Sequence, residues 1–136
     1  MPFVVDASVT LAWCFEDEAT PGTEAILELL TEDTAVVPGL WELEVANVLL
    51  LGERRGRLTE AQSARFVALL GQLPILVDTA SVDMGAVLAA GRRRGLTAYD
   101  AAYLVLAERE GLALATFDSK LRTAAGTVGV ALIGST

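Results

Sequence analysis

Apolar residues recur along this chain in two rhythms. Short unbroken runs occur at FVV (3–5), AVVP (35–38), PILVD (74–78), LALAT (112–116) and VALI (130–133). They lack the polar alternation of a strand with one wet face and suit strands buried on both faces of a parallel sheet. Between them, apolar residues return every three or four positions, the pattern of helices with one buried side. A helix is expected over 8–15, and a second from Thr20 or Thr23, with acids in its first turns where the helix dipole favours them. LWELEVANVLLLGERRG reads as a helix stopped by Gly56, and TEAQ (59–62) has the capping-box form that opens the next. SVDMGAVLAAGRRRG is helical up to Gly95, TAYD (97–100) opens another helix, and DSKLRTAA forms a short last one.

The resulting order, β-α-α-β-α-α-β-α-α-β-α-β, predicts one α/β domain over 1–136. Its centre is a parallel sheet of about five short strands with helices on both faces. No repeat, low-complexity tract or linker interrupts the pattern. Hydrophobic residues make up 53% of the chain, too many for a disordered one. No apolar run approaches the ~18 residues of a membrane span, so no membrane association is expected. The opening MPFVVDASV has no basic residue before its apolar run, unlike a secretory leader. Cys14 is the only cysteine, so no internal disulfide can form. It reads as a small buried hydrophobe in a cytoplasmic protein.

The absence of histidine narrows the chemistry further. Ser-His-Asp and Cys-His nucleophile sites and histidine-ligated metals are excluded, so acid–base or metal chemistry must rest on carboxylates. Asp6 follows the first apolar run and Asp118 the fourth, at carboxyl strand ends where open α/β sheets keep their sites. Each also stands where a helix N-cap is wanted, in DAS and FDS. Asp100 lies three residues after Thr97, which is capping-box spacing. Glu44 has no such account. Helical spacing puts Leu40, Asn47, Val48 and Leu51 on its side, and no Lys or Arg lies within one turn on that face. Glu42, by contrast, points with Ala46 and Leu49 and can be solvated. An ionised carboxylate on an apolar face is costly unless compensated, so Glu44 needs a distant partner, a proton or a metal ion. One pocket shared by all four acids explains them better than four separate roles. Without histidine, such a pocket suits a hard divalent cation, Mg²⁺ or Mn²⁺.

The segments FVVDASV, PGLWELEVANVL, LTAYDAAYLVLA and LATFDSKL, in that order, resemble the four signature segments of PIN-domain ribonucleases. Among these the chain is most similar to the VapC-type toxins of bacterial toxin–antitoxin pairs, over essentially its whole length. The resemblance implies a Mg²⁺- or Mn²⁺-dependent endoribonuclease acting on RNA, with Asp6, Glu44, Asp100 and Asp118 as its catalytic and metal-holding quartet. It implies supporting polar roles for Ser8, Asn47 and Thr116. It also implies a homodimer and a cognate antitoxin that neutralises the enzyme. The large apolar residues Trp41, Leu49, Leu50 and Leu51 exceed what a five-strand sheet needs to cover it, and point to the same assembly.

Charge complicates the picture of an RNA-binding surface. The chain carries a net charge of −8. Residues 1–53 hold 11 acids and no Lys or Arg, whereas 54–136 hold 7 acids and 10 bases. RNA contacts are therefore expected from Arg54, Arg55 and Arg57, or from Arg92, Arg93 and Arg94. Bases at helix C-termini also serve the dipole and need no ligand. Two other readings compete. In a haloacid-dehalogenase-like phosphohydrolase Asp6 would be a covalent nucleophile, but Ser8 stands where that family wants a second acid, and Lys120 is the only lysine. In a non-catalytic α/β protein-binding module the acids would be caps.

Overall fold

The computed structural model describes residues 1–134. Four parallel strands, β1 (Phe3–Val5), β2 (Ala35–Val37), β3 (Ile75–Val77) and β4 (Ala113–Ala115), lie in the order β3-β2-β1-β4. The first four apolar runs each supply a strand. The fifth, 130–133, supplies only a parallel bridge from Leu132 to Leu114. Two backbone bonds hold it, Leu114 N–H to Ala131 O at 2.8 Å and Ile133 N–H to Leu114 O at 3.0 Å. Gly129 and Gly134 bracket the run with φ of +80° and +77°, so the chain turns away on both sides before a ladder can lengthen.

Among the described residues seven helices surround the sheet: α1 (Ala7–Ala12), α2 (Pro21–Leu29), α3 (Leu40–Arg54), α4 (Glu60–Gln72), α5 (Met84–Arg94), α6 (Ala98–Glu110) and α7 (Ser119–Val128). The predicted capping box of α4 closes in both directions between Thr59 and Gln62. Another does so at the start of α2, between Thr20 and Thr23. Helix α1 ends earlier than the apolar spacing predicts, and a 3-10 turn (Glu16–Glu18) follows. The cause is tertiary. The Trp13 indole donates to Thr23 O at 2.9 Å, and Phe15 turns into the core, so this segment follows α2 rather than its own helix axis.

Strand β1 is wholly buried, and α6 packs along it and β4. The inner turns of α6 are buried almost all round, with Ala101, Tyr103, Leu104, Leu106 and Ala107 inside. Such a helix has no polar face to give to water. Trp41 and Leu49, expected to be surplus, belong to the core, while Leu50 remains 46% exposed and Leu51 half-buried. The Trp41 indole donates to Thr10 Oγ1 at 3.0 Å, and that hydroxyl donates to Asp6 O at 3.0 Å. This relay fixes α3 against the exit of β1. Because β2 lies on one side of β1 and β4 on the other, the winding reverses between β1 and β4. The crevice beyond their carboxyl ends is where such a sheet offers a site.

Candidate active site

Asp6 leaves β1 directly into α1 and is 5% exposed. Its Oδ1 accepts from Val9 N–H and from the Ser8 hydroxyl, each at 2.9 Å. Its Oδ2 accepts from the Thr116 hydroxyl. Asp6 thus caps α1, as the capping reading expects, from a position at the carboxyl end of β1. Burial pushes its carboxyl above the usual carboxylate range. The bonds from Thr116, Val9 and Ser8 oppose that rise, and the charge of Asp100 adds to it.

The fully buried Thr116 links the two strand ends. Its hydroxyl donates to Asp6 and accepts from Asp118 N–H at 3.2 Å. Asp118 is exposed and caps α7 through Leu121 N–H at 2.9 Å. Arg122, one turn into α7, donates to Thr116 O at 2.8 Å and secures the exit of β4. The residue pattern gave no warning of Arg122. Its only cue was its place four residues after Asp118.

Asp100 settles the question of its capping box. The Thr97 hydroxyl accepts from Asp100 N–H at 3.1 Å, but no return bond runs from Thr97 N–H to the Asp100 carboxylate. The carboxylate is left to face other acids. Its pKa is raised, first by burial and then by the charge of Asp118, against the lowering effect of the Thr97 hydroxyl. Glu44, half-buried on α3, does have a distant partner. The Tyr103 hydroxyl donates to its Oε1 at 2.6 Å across 59 residues. Burial raises the Glu44 pKa most, the Tyr103 bond lowers it, and the charges of Asp100 and Asp6 raise it again. The Tyr103 phenol is itself pushed far up, by burial first and then by Glu44, so it stays a neutral donor. Sequence reasoning missed Tyr103, although it lies at i+3 from Asp100 on the same helix face.

The charge of Asp100 acts on Asp6 and on Glu44, and that of Asp118 acts on Asp100, so the four acids are linked electrostatically. Among the described residues, no three or more of these side chains stand close enough together to hold a metal ion between them. The donor set nonetheless fits a hard divalent cation. It is all oxygen, its like charges raise one another, and Mg²⁺ keeps several waters and takes few carboxylates directly. The expected helpers divide. Ser8 and Thr116 bond Asp6, whereas Asn47 is exposed one turn beyond Glu44 and bonds none of the four acids. The arginines divide as well. Arg57 is held by Asp17 at 3.0 Å and Glu18 at 3.3 Å and lies over the Phe15 ring. Arg54, Arg55, Arg92, Arg93 and Arg94 form no ion pair among the described residues.

The chain and its fold match a known class. The PIN domain family pattern matches residues 3–127. Ribonuclease VapC3 of Pyrobaculum aerophilum is 33% identical over 127 residues, covering 89% of this chain and 92% of that one. The crystal structure of PAE2754, also from Pyrobaculum aerophilum, superposes with a TM-score of 0.72 at 25% identity, covering 91% of this chain and 84% of that chain. A toxin–antitoxin complex from Klebsiella pneumoniae shares the fold at a TM-score of 0.68 and 18% identity, covering 98% and 99% of the two chains. The chain belongs to the PIN-domain family, in its VapC-type branch. The phosphohydrolase alternative finds no support in these matches. Among the described residues no helix is long and apolar enough to cross a membrane.

Proposed function

We propose that the protein is a Mg²⁺- or Mn²⁺-dependent endoribonuclease toxin of the cytoplasm. Asp6, Glu44, Asp100 and Asp118 hold the ion, and a cognate antitoxin neutralises the enzyme. The observation that carries this reading is the electrostatic linkage of Asp100 with Asp6, Glu44 and Asp118, with no lysine or arginine paired to any of the four among the described residues. A divalent cation held by these carboxylates would lower the pKa of water at the site and offset the charge developing at the phosphodiester. The chain's own residues do the rest. Thr116, Ser8 and Val9 N–H hold Asp6 in one rotamer, and Tyr103 orients Glu44. Asp100 and Asp118, on the more open side, leave room for the RNA backbone.

Two surfaces support the expected partners. A groove of about 680 Å³ runs between the 78–83 loop, α5 and α6, with Val82, Ala86, Val87 and Ala90 among its lining. Asp78, Asp83, Arg93, Arg94, Glu108 and Arg109 also line it, so it suits an amphipathic antitoxin segment. Leu43 and Leu50 on α3 and Val67 and Leu69 on α4 are exposed and offer a homodimer face. Light scattering that shows only monomer at high micromolar concentration counts against the dimer.

The central test is cleavage of a structured RNA with millimolar Mn²⁺ or with EDTA. Cleavage is expected only with the metal. Asp100→Asn and Glu44→Gln should each lower the rate by about 100-fold or more, beyond the loss typical of a residue that merely supports a metal ligand. Activity that survives EDTA sinks the reading.

A further inference from the structure

Beside the acids lies a feature that the carboxylate chemistry does not use. Helix α5 ends at Gly95, whose left-handed backbone (φ +65°) reverses the chain, and Thr97 caps α6 at once. This short connection keeps Arg93 and Arg94 close to the end of α6 that carries Asp100. Asp118 caps α7, so Ser119 and Lys120 follow it immediately. The two helix ends meet around a surface recess of about 350 Å³ lined by Arg93, Arg94, Ser119, Lys120, Thr123 and Thr127. Lys120, Thr123 and Thr127 recur at helical spacing and present one face of α7.

We propose that Arg93, Arg94 and Lys120 form a phosphate-binding recess that holds the sugar–phosphate backbone of single-stranded RNA next to the acidic site. The proposal rests on the nuclease reading for its choice of ligand and adds where that ligand is gripped. None of the three bases has an acidic partner among the described residues, in a chain whose net charge is −8. The helix dipole accounts for arginines at the end of α5 but not for Lys120. A cation in the first turn of α7 is opposed by that helix's dipole, so Lys120 is not there for the helix. The hydroxyls of Ser119 and Thr123 add neutral donors of the kind that contact phosphate and sugar oxygens, whereas the Thr127 hydroxyl already donates to Thr123 O at 3.0 Å. By contrast Arg57, in the other basic cluster, is already held by Asp17 and Glu18.

Phosphate contacts are independent of sequence and release counterions, so the test needs no knowledge of the natural target. Fluorescence anisotropy would follow a labelled mixed-sequence 20-nucleotide single-stranded RNA in EDTA, between 50 and 200 mM salt. Arg93→Ala/Arg94→Ala/Lys120→Ala should bind at least about tenfold more weakly at the lowest salt. It should also flatten the slope of log affinity against log salt by about 2, near 0.7 for each phosphate no longer neutralised. Arg54→Ala/Arg55→Ala/Arg65→Ala, which removes as many bases and tests the other expected cluster, should weaken binding by less than about threefold and flatten the slope by less than about 0.7. Arg93→Lys/Arg94→Lys should keep most of the slope, because gripping a phosphate needs the charge more than the guanidinium.

The recess is overturned if its triple variant binds like wild type, if both triple variants weaken binding equally, or if wild type shows no salt-dependent binding. Loss of binding confined to the recess variant, with no Mn²⁺-dependent cleavage by wild type, supports the recess and removes the nuclease reading. Mn²⁺-dependent cleavage that persists while the recess variant binds normally does the reverse.

Discussion

At the β1–β4 seam every residue of β1 is buried, and Asp6 and Asp118 follow the ends of the two strands, linked in charge to Asp100 and, through it, to Glu44. Across the sheet, β3 leaves Leu76 62% exposed, and Val82, Met84 and Leu88 beside it are open as well. The seam buries charge that favours neither burial nor its neighbours. The β3 flank exposes apolar surface that favours neither water nor isolation. Each is a local cost that a binding partner would relieve, an ion at the seam and a protein segment on the flank. The fold tolerates the first because the surrounding packing is dense, and the second because an edge strand contributes little to the core.

The largest expected difference between the two regions is in packing. Leu104→Ala, at a fully buried position of α6, should cost about 2–5 kcal/mol in a denaturant titration. Equal costs for Leu104→Ala and Leu76→Ala would erase the distinction between seam and flank. Next comes Tyr103→Phe, which leaves the Glu44 carboxylate without its donor. It should cost about 1–3 kcal/mol without metal and slow RNA cleavage by about 10–100-fold. A Tyr103→Phe variant with wild-type stability and rate would show that the bond does not position Glu44.

Asp100→Asn should act in the opposite direction on stability. It removes the charge felt by Asp6 and Glu44. The metal-free protein should therefore gain about 0.5–1 kcal/mol, the range left once solvent screening of a half-exposed group is allowed for. If Asp100 were only a cap residue, the variant would lose stability with or without metal.

The same acids set a pH dependence. Asp6, Glu44 and Asp100 all have folded-state pKa values raised above their unfolded values. The folded state thus binds more protons than the unfolded one once pH exceeds about 4. Stability in EDTA should fall as pH rises through the raised folded values. Millimolar Mn²⁺ should reverse the trend, because its ligands must be deprotonated. Melting temperatures at pH 5.5 and 7.5, each with EDTA and with Mn²⁺, test both signs. A melting temperature in EDTA that climbs with pH would contradict the account. Smallest of all, Leu76→Ala on the exposed flank should change stability by no more than about 0.5 kcal/mol.

Much of this was legible in the residue pattern. Unbroken apolar runs placed four strands, and TEAQ and the glycine after RRR marked the ends of α4 and α5 because caps and left-handed turns are local devices. The lack of any local partner singled out Glu44, and the strand-end positions singled out Asp6 and Asp118. What stayed hidden depended on contacts distant in sequence. Tyr103 meets Glu44 across 59 residues, Thr116 meets Asp6 across 110, and Arg57 reaches Asp17 across 40. No periodicity encodes such distances.

The sequence by itself determined where four strands and most helices lie, that any metal chemistry must use oxygen, and that Glu44 lacks a simple local duty. Those properties follow from side-chain chemistry and near-neighbour spacing. Only the tertiary structure decided that Thr97 and Asp100 form half a capping box, that Trp41 and Leu49 are core, and that Arg93 and Arg94 meet Lys120. In each case the outcome depends on which surface the chain brings alongside. That is set by the reversal of strand order between β1 and β4, a property of the whole sheet and of no single segment.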